Sequence, residues 1–264
     1  MISKQNTGVF ADLAKFNVFI ILLFFPLFTV IGQNCFIPGE ELRYSIYFGP
    51  INAGIADVKL VKTYYGSNRV FHSKLIGRST GLADKIYKVY DTYECYFDSI
   101  NILPVTSIRD IREGRYRKKN IDSYNHQSNI ISCGNKGEIQ APKDIRDIMS
   151  AFYFFRNYNF TSLRKGDIIK IEIFFDDELI TFRLYFIGKE HIETKMGEFN
   201  CLKFIPEIAK KKKNEQSENI SPTPKDDMIL WISDDPNHVP IRVKFDLFIG
   251  SIKCDLIGHQ GLKY

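Results

Sequence analysis

From position 42 onward, apolar and polar residues alternate. Leu42, Tyr44, Ile46 and Phe48 take turns with Arg43, Ser45 and Tyr47. Ile169, Ile171, Ile173 and Phe175 do the same with Lys170 and Glu172, and Phe182, Leu184 and Phe186 with Thr181, Arg183 and Tyr185. A fourth run sets Ile241, Val243, Phe245 and Leu247 against Arg242, Lys244 and Asp246. A period of two collects the apolar members of each run on one side, so each predicts an antiparallel strand with one buried face and one wet face.

Turn signals fall between the runs. Gly49-Pro50-Ile51-Asn52-Ala53-Gly54 separates the first two strands, and Tyr65-Gly66-Ser67-Asn68 starts the third. Asp176-Asp177 and Met196-Gly197 close tight hairpins, and Asp234-Asp235-Pro236-Asn237 ends the strand carrying Trp231. About ten to twelve short strands at this spacing predict an all-β fold, a large curved antiparallel meander sheet that is half-barrel or barrel-like.

One segment breaks the period. Ile145, Ile148, Met149, Phe152 and Phe155 recur at three and four, which predicts an amphipathic helix over about 143–157 packed against the sheet. Pro142 precedes it, Asp144 and Asp147 lie near its start and Arg156 near its end, as the helix dipole favours. Residues 207–227 hold a run of lysines, then Asn, Glu and Ser, then Ser221-Pro222-Thr223-Pro224, and read as a mobile surface loop.

The N-terminus changes the setting. Residues 16–32 are apolar and uncharged behind Lys4 and Lys15, with Val30 and Gly32 placed for cleavage before Gln33, the build of a signal peptide. Two other readings stand beside cleavage. One is a retained membrane anchor, although seventeen residues reach roughly 25 Å against a core of roughly 30 Å and Pro26 interrupts them. The other is a lipoprotein modified at Cys35. Export, with the periplasm as destination, leaves residues 33–264 as a single antiparallel β domain. Its net charge is about +4 once Lys4, Lys15 and Asp12 are gone, which is no footprint of nucleic-acid binding. Cys35, Cys95, Cys133, Cys201 and Cys254 include no Cys-x-x-Cys, which speaks against zinc; they read as disulfide partners or as buried small hydrophobes.

Catalytic signatures do not emerge. There is no Gly-x-Ser-x-Gly elbow, no glycine-rich phosphate loop and no His-Glu-x-x-His. His191 and Glu193 share one face of a strand but lack a third metal ligand or a nucleophile. Asp176-Asp177, Asp226-Asp227 and Asp234-Asp235 read as turn formers. Asn159-Phe160-Thr161 and Asn219-Ile220-Ser221 fit the short N-glycosylation pattern. Tyr87, Tyr90, Tyr93, Tyr96 and Phe97 form an aromatic stretch that suits either a pocket wall or a core.

Several ordered segments carry a resemblance: Gly39-Glu40-Glu41-Leu42-Arg43-Tyr44, the Gly49–Gly54 turn, Asp91-Thr92-Tyr93-Glu94-Cys95-Tyr96-Phe97-Asp98, Leu103-Pro104 and Glu113-Gly114-Arg115-Tyr116. Asp147 to Arg156, Trp231-Ile232-Ser233-Asp234-Asp235, Val239-Pro240 and Gly250-Ser251-Ile252 complete the set. In order and spacing the chain resembles the exported bacterial family known as domain of unknown function 3108. The resemblance implies an envelope protein of Gram-negative bacteria, mostly antiparallel β, and supplies no catalytic residue. The lysine-rich insertion after Pro206 looks longer than the family's usual loop.

The expected role is non-enzymatic binding of a hydrophobic ligand such as a lipid or glycolipid. The motive is the surplus of 22 Phe and 14 Tyr, and the expected ligand-binding residues are Tyr93, Phe97, Phe152, Phe155, Trp231 and Asp234. No metal or other cofactor is expected. The alternative is a structural or interaction module of the envelope with a filled core, using edge strands and the lysine loop. A third reading, a hydrolase, needs Trp231, Asp234 and Asp235 to converge with Glu113 or His191.

Overall fold

The computed structural model describes residues 34–264 except 135, 211–226 and 249. The leader, most of the lysine run, Asp226 and the Asn219 site therefore lie outside the described residues. Fourteen strands form one antiparallel sheet: β1 (Glu41–Phe48), β2 (Ile51–Tyr65), β3 (Asn68–Ser79), β4 (Tyr90–Phe97), β5 (Pro104–Glu113), β6 (Tyr116–Asn125), β7 (Ile130–Cys133), β8 (Gly137–Gln140), β9 (Ile168–Phe175), β10 (Glu178–Thr194), β11 (Gly197–Lys210), β12 (Met228–Ser233), β13 (Pro240–Asp246) and β14 (Ser251–Gln260). Among the described residues two helices interrupt them, α1 (Gly81–Ile86) and α2 (Ile148–Arg156).

The strand order is β8-β7-β6-β5-β4-β3-β2-β1-β14-β13-β12-β11-β10-β9, so two meanders join where β1 pairs with β14. The edges, β8 and β9, share no ladder. The chain passes from one edge to the other through residues 141–167, which carry α2. That helix contacts β3, β4 and β9. A helix that touches strands so far apart in the order lies inside the curve of the sheet. The edges also meet through side chains: Phe174 of β9 shares a buried cluster with Tyr124, Ile131 and Cys133 of β6 and β7.

The sheet is larger than the expected ten to twelve strands because β7 and β8 are only four residues each and lack a readable alternation. The helix is shorter than 143–157. Asp147, extended at φ −88°, is its N-cap: its carboxylate accepts from the Met149 and Ser150 amides at 3.1 and 2.9 Å. Before it, Arg146 runs alongside β9, donating its amide to Glu172 and accepting from that of Phe174. Those edge hydrogen bonds hold 144–147 out of the helix. Ile145 is buried from this extended stretch, whereas Ile148, counted on the apolar face, is exposed.

Two further expectations are corrected. α1 escaped notice because none of its six residues is buried, so it has no apolar period. The loop set at 207–227 starts too early: residues 207–210 continue β11 against Ile180–Arg183, and the Glu207 carboxylate accepts from the Tyr185 hydroxyl at 2.8 Å.

All five cysteines are unpaired, and four are buried. Burial pushes the Cys201 and Cys254 thiols up to about 12 and those of Cys35 and Cys133 to about 11, so they behave as small hydrophobes.

Candidate functional site

Two ionic clusters organise the interior. The first closes α2. Arg156, its last residue, is fully buried and grips Glu40, also fully buried, through paired bonds of 2.5 and 2.8 Å. Its guanidinium donates again to the Asn237 carbonyl at 3.1 Å and lies within 6 Å of the Phe36, Phe152 and Tyr153 rings. Its carbonyl accepts from the Cys35 thiol and hydrogen-bonds His238. One residue thus ties the entry to β1, the helix and the β12–β13 turn. The Glu40 carboxylate beside it outweighs burial and holds the Arg156 guanidinium above its ordinary range.

The second cluster lies where the β9 edge meets β5 and β6. Asp176 and Asp177 form the β9–β10 turn with φ of 52° and 64°, the left-handed pair that a two-residue hairpin needs and that Asp tolerates. One Asp176 carboxylate oxygen accepts from Arg109 at 2.6 Å and from Lys118 at 2.5 Å. Asp177 accepts from the Asn120 amide at 3.1 Å. The Arg109 guanidinium stands 4.9 Å over the Phe175 ring, on which Tyr93 stacks at 6.5 Å. The seam is thus clasped by side chains where no backbone ladder exists. The Lys118 bond, then Arg109, lowers the Asp176 carboxyl below the usual range.

Behind this clasp is a cavity of about 30 Å³ whose lining includes Tyr93, Ser107, Arg109, Asn120, Asp122 and Asp147. Arg109 Nε, Asn120 Oδ1 and Asp122 Oδ1 are buried there without a protein partner. Its size and polarity suit a water molecule and exclude an acyl chain. Burial, and then the charge of Asp177, pushes the Asp122 carboxyl up to about 6. A second cleft of about 290 Å³ is lined by Ile100, Asn101, Ile102, Leu103, Asp144, Arg146, Phe154 and Asn157. Arg146 braces it, donating to the Asp144 and Asn101 carbonyls and standing 3.6 Å over the Phe154 ring.

The six residues expected to bind a ligand are dispersed. Tyr93 is at the seam. Phe97 is fully buried, stacked on Tyr153 and edge-on to Phe71. Phe152 packs on Tyr153, and Phe155 sits among Phe160 and Phe204. Trp231 is buried with its indole donating to Glu190 at 3.2 Å, while Asp234 pairs with Lys189 near the surface. Of the six, Tyr93 alone lines either cavity. The aromatic stretch 87–97 is split: Tyr87 caps α1, and in β4 the alternation sends Phe97 into the core while Tyr96 stacks on His72 at 4.2 Å.

His191 bonds across the ladder to Asn200 and Glu198 at 3.1 and 3.2 Å rather than to Glu193. Asp234 comes near it, its amide donating to the Asn200 carbonyl, but Glu113 sits at the end of β5 beside Asp91. Among the described residues no three His, Cys, Asp or Glu side chains are placed to hold a metal. Sequence reasoning missed the Arg156–Glu40 pair. Its one visible signal is a charged residue closing an otherwise aromatic helix, which also suits a dipole partner at the surface.

The fold has relatives. A β-barrel-like protein of the domain of unknown function DUF1849 from Brucella abortus superposes with a TM-score of 0.51 at 6% identity, over 86% of this chain and 98% of that one. A protein with a YmcC-like fold from Bacteroides fragilis covers 86% of this chain and 99% of its own at 10% identity, but its TM-score of 0.35 is too low to compare folds. No curated protein matches the sequence. The family model described as a protein of unknown function, DUF3108, matches residues 43–257, nearly the whole sheet, and the chain belongs to that family.

Proposed function

We propose that the chain is an exported, non-enzymatic interaction module of the bacterial envelope, with its interior serving as scaffold and its contacts carried outside. One observation supports this over a lipid carrier: the inside of the curve is occupied. Tyr153 and Phe97 are fully buried and Met149 and Phe155 nearly so, and the two cavities described above are a water-sized polar one and a cleft in which Ile100, Ile102, Leu103 and Phe154 are mixed with Asn101, Asp144, Arg146 and Asn157. An acyl chain needs a dry apolar pocket of several hundred Å³ or more. Residues 16–32 support export, and no helix among the described residues is long and apolar enough to cross a membrane.

Two measurements test the proposal. Cross-linking in cells should trap a defined envelope partner. Native mass spectrometry of protein from the envelope fraction should give the bare mass, with no uptake of a fluorescent fatty acid. A co-purifying lipid that fatty acid displaces would restore the carrier reading.

A further inference from the structure

One end of the sheet carries an unusual surface. Here β3 ends and β4 starts, β5 turns into β6, β1 into β2, and β13 into β14. The turns are stitched into one rim: Gly114 donates its amide to the Lys88 carbonyl, Thr80 to Ala53, and Gly49 to Ser251. α1 lies on this rim with no buried residue, so tertiary burial does not account for its apolar side chains. Leu82 and Ile86, four apart and so on one face, are exposed, Ile86 at 77%. Tyr87, Tyr116, Phe48 and Phe248 are exposed beside them, Phe248 completely. Large side chains left in water at four neighbouring turns form an exposed apolar surface of the kind that marks an interaction site.

Around α1 and the β5–β6 turn the exposed charge is one-sided, whereas the β13–β14 turn carries the exposed Asp246, paired with Lys244 at 2.9 Å. Within 81–91 and 112–119 every exposed charged residue is basic: Lys85, Lys88, Arg115, Arg117 and Lys119, together with Arg112, which is paired with Asp110 at 2.7 Å. The carboxylates within these two stretches are half-buried and engaged by neighbouring groups. Asp84 accepts from the Ser79 hydroxyl at 2.6 Å, Asp91 from the Arg112 amide at 2.9 Å, and Glu113 faces Asp91. Arg117 folds back onto the Gly114 and Tyr116 carbonyls, which holds Tyr116 at the tip. Protruding aliphatic tips, tyrosines and a basic surround are what an anionic bilayer surface selects. The apolar tips enter the headgroup boundary, and each Lys or Arg is drawn to the anionic lipid surface.

We propose that this rim docks the protein onto an anionic lipid surface. The proposal builds on the interaction-module reading and names one of its partners. The test is flotation of protein recovered from the envelope fraction with vesicles of phosphatidylcholine alone or mixed with phosphatidylglycerol. Binding should be at least tenfold tighter to the mixed vesicles and should weaken as salt rises. Arg115→Glu with Arg117→Glu should cut it about tenfold or more, and Leu82→Ser with Ile86→Ser about as much. Lys62→Glu, an exposed charge at the opposite end, should leave it unchanged. Equal binding to both vesicles, no binding to either, or rim variants that bind like wild type would overturn the proposal. An acidic protein captured through the rim in the absence of vesicle binding would overturn it too, while leaving the interaction-module reading intact.

Discussion

The Arg156–Glu40 pair and the Asp176 clasp use the same chemistry in opposite settings. Arg156 and Glu40 are both shut off from solvent, doubly bonded and walled by aromatic rings. Arg109, Lys118 and Asp176 meet at similar distances, but half of the Asp176 side chain faces water. Attraction is strong in the first setting, yet so is the cost of stripping water from two charges, so the pair adds little net stability and its loss on one side is severe. In the second, solvent screens the attraction, and the clasp is weak but cheap to make or release. The curve of the sheet is thus held from inside by a helix that cannot leave its pair, and its edges are closed by contacts that salt and acid loosen.

Breaking the buried pair should have the largest effect. Arg156→Met or Glu40→Gln alone should cost about 3–5 kcal/mol in urea unfolding, because each strands its partner. Arg156→Met combined with Glu40→Leu should recover most of that loss; if the double variant is no better than the singles, the stranded-charge explanation fails.

Breaking the clasp should cost less. Asp176→Asn should remove about 1 kcal/mol or less, and the difference from wild type should shrink in high salt. The Asp176 carboxyl is held below its ordinary range, so its contribution is complete above the usual carboxylate pKa and disappears as pH falls through the lowered value. Urea midpoints across that acidic range check the sign.

Asp122 should give a small effect of opposite sign. Its carboxyl is raised to about 6 in the fold, so the stability it contributes is complete near pH 4 and is lost as pH climbs through 6. Asp122→Asn should therefore be neutral near pH 4 and stabilising by about 1 kcal/mol above pH 7, a figure reduced for its partial exposure to water. A loss of stability at pH 7 would mean the seam needs that charge.

These contrasts also mark how far the sequence could be read. Alternation in 42–48, 169–175 and 241–247 located strands because each has one wet face, and Asp176-Asp177 announced its turn through side chains that tolerate positive φ. Both signals are local. The reach of Asp176 to Arg109 spans 67 positions and that of Arg156 to Glu40 spans 116, and no period encodes either. The same gap explains the expected binding residues. Phe97, Phe155 and Trp231 look alike whether they line a pocket or fill a core, and only the path of residues 141–167 through the curve decides between the two.

Native-state hydrogen exchange of the amides of 151–156 tests whether that helix is a permanent filling. Packed as described, these amides should exchange only through global unfolding, with the free energy given by urea, and fatty acid should not change their rate. Exchange through a cheaper local opening, slowed by added lipid, would show that the interior opens to hold a ligand.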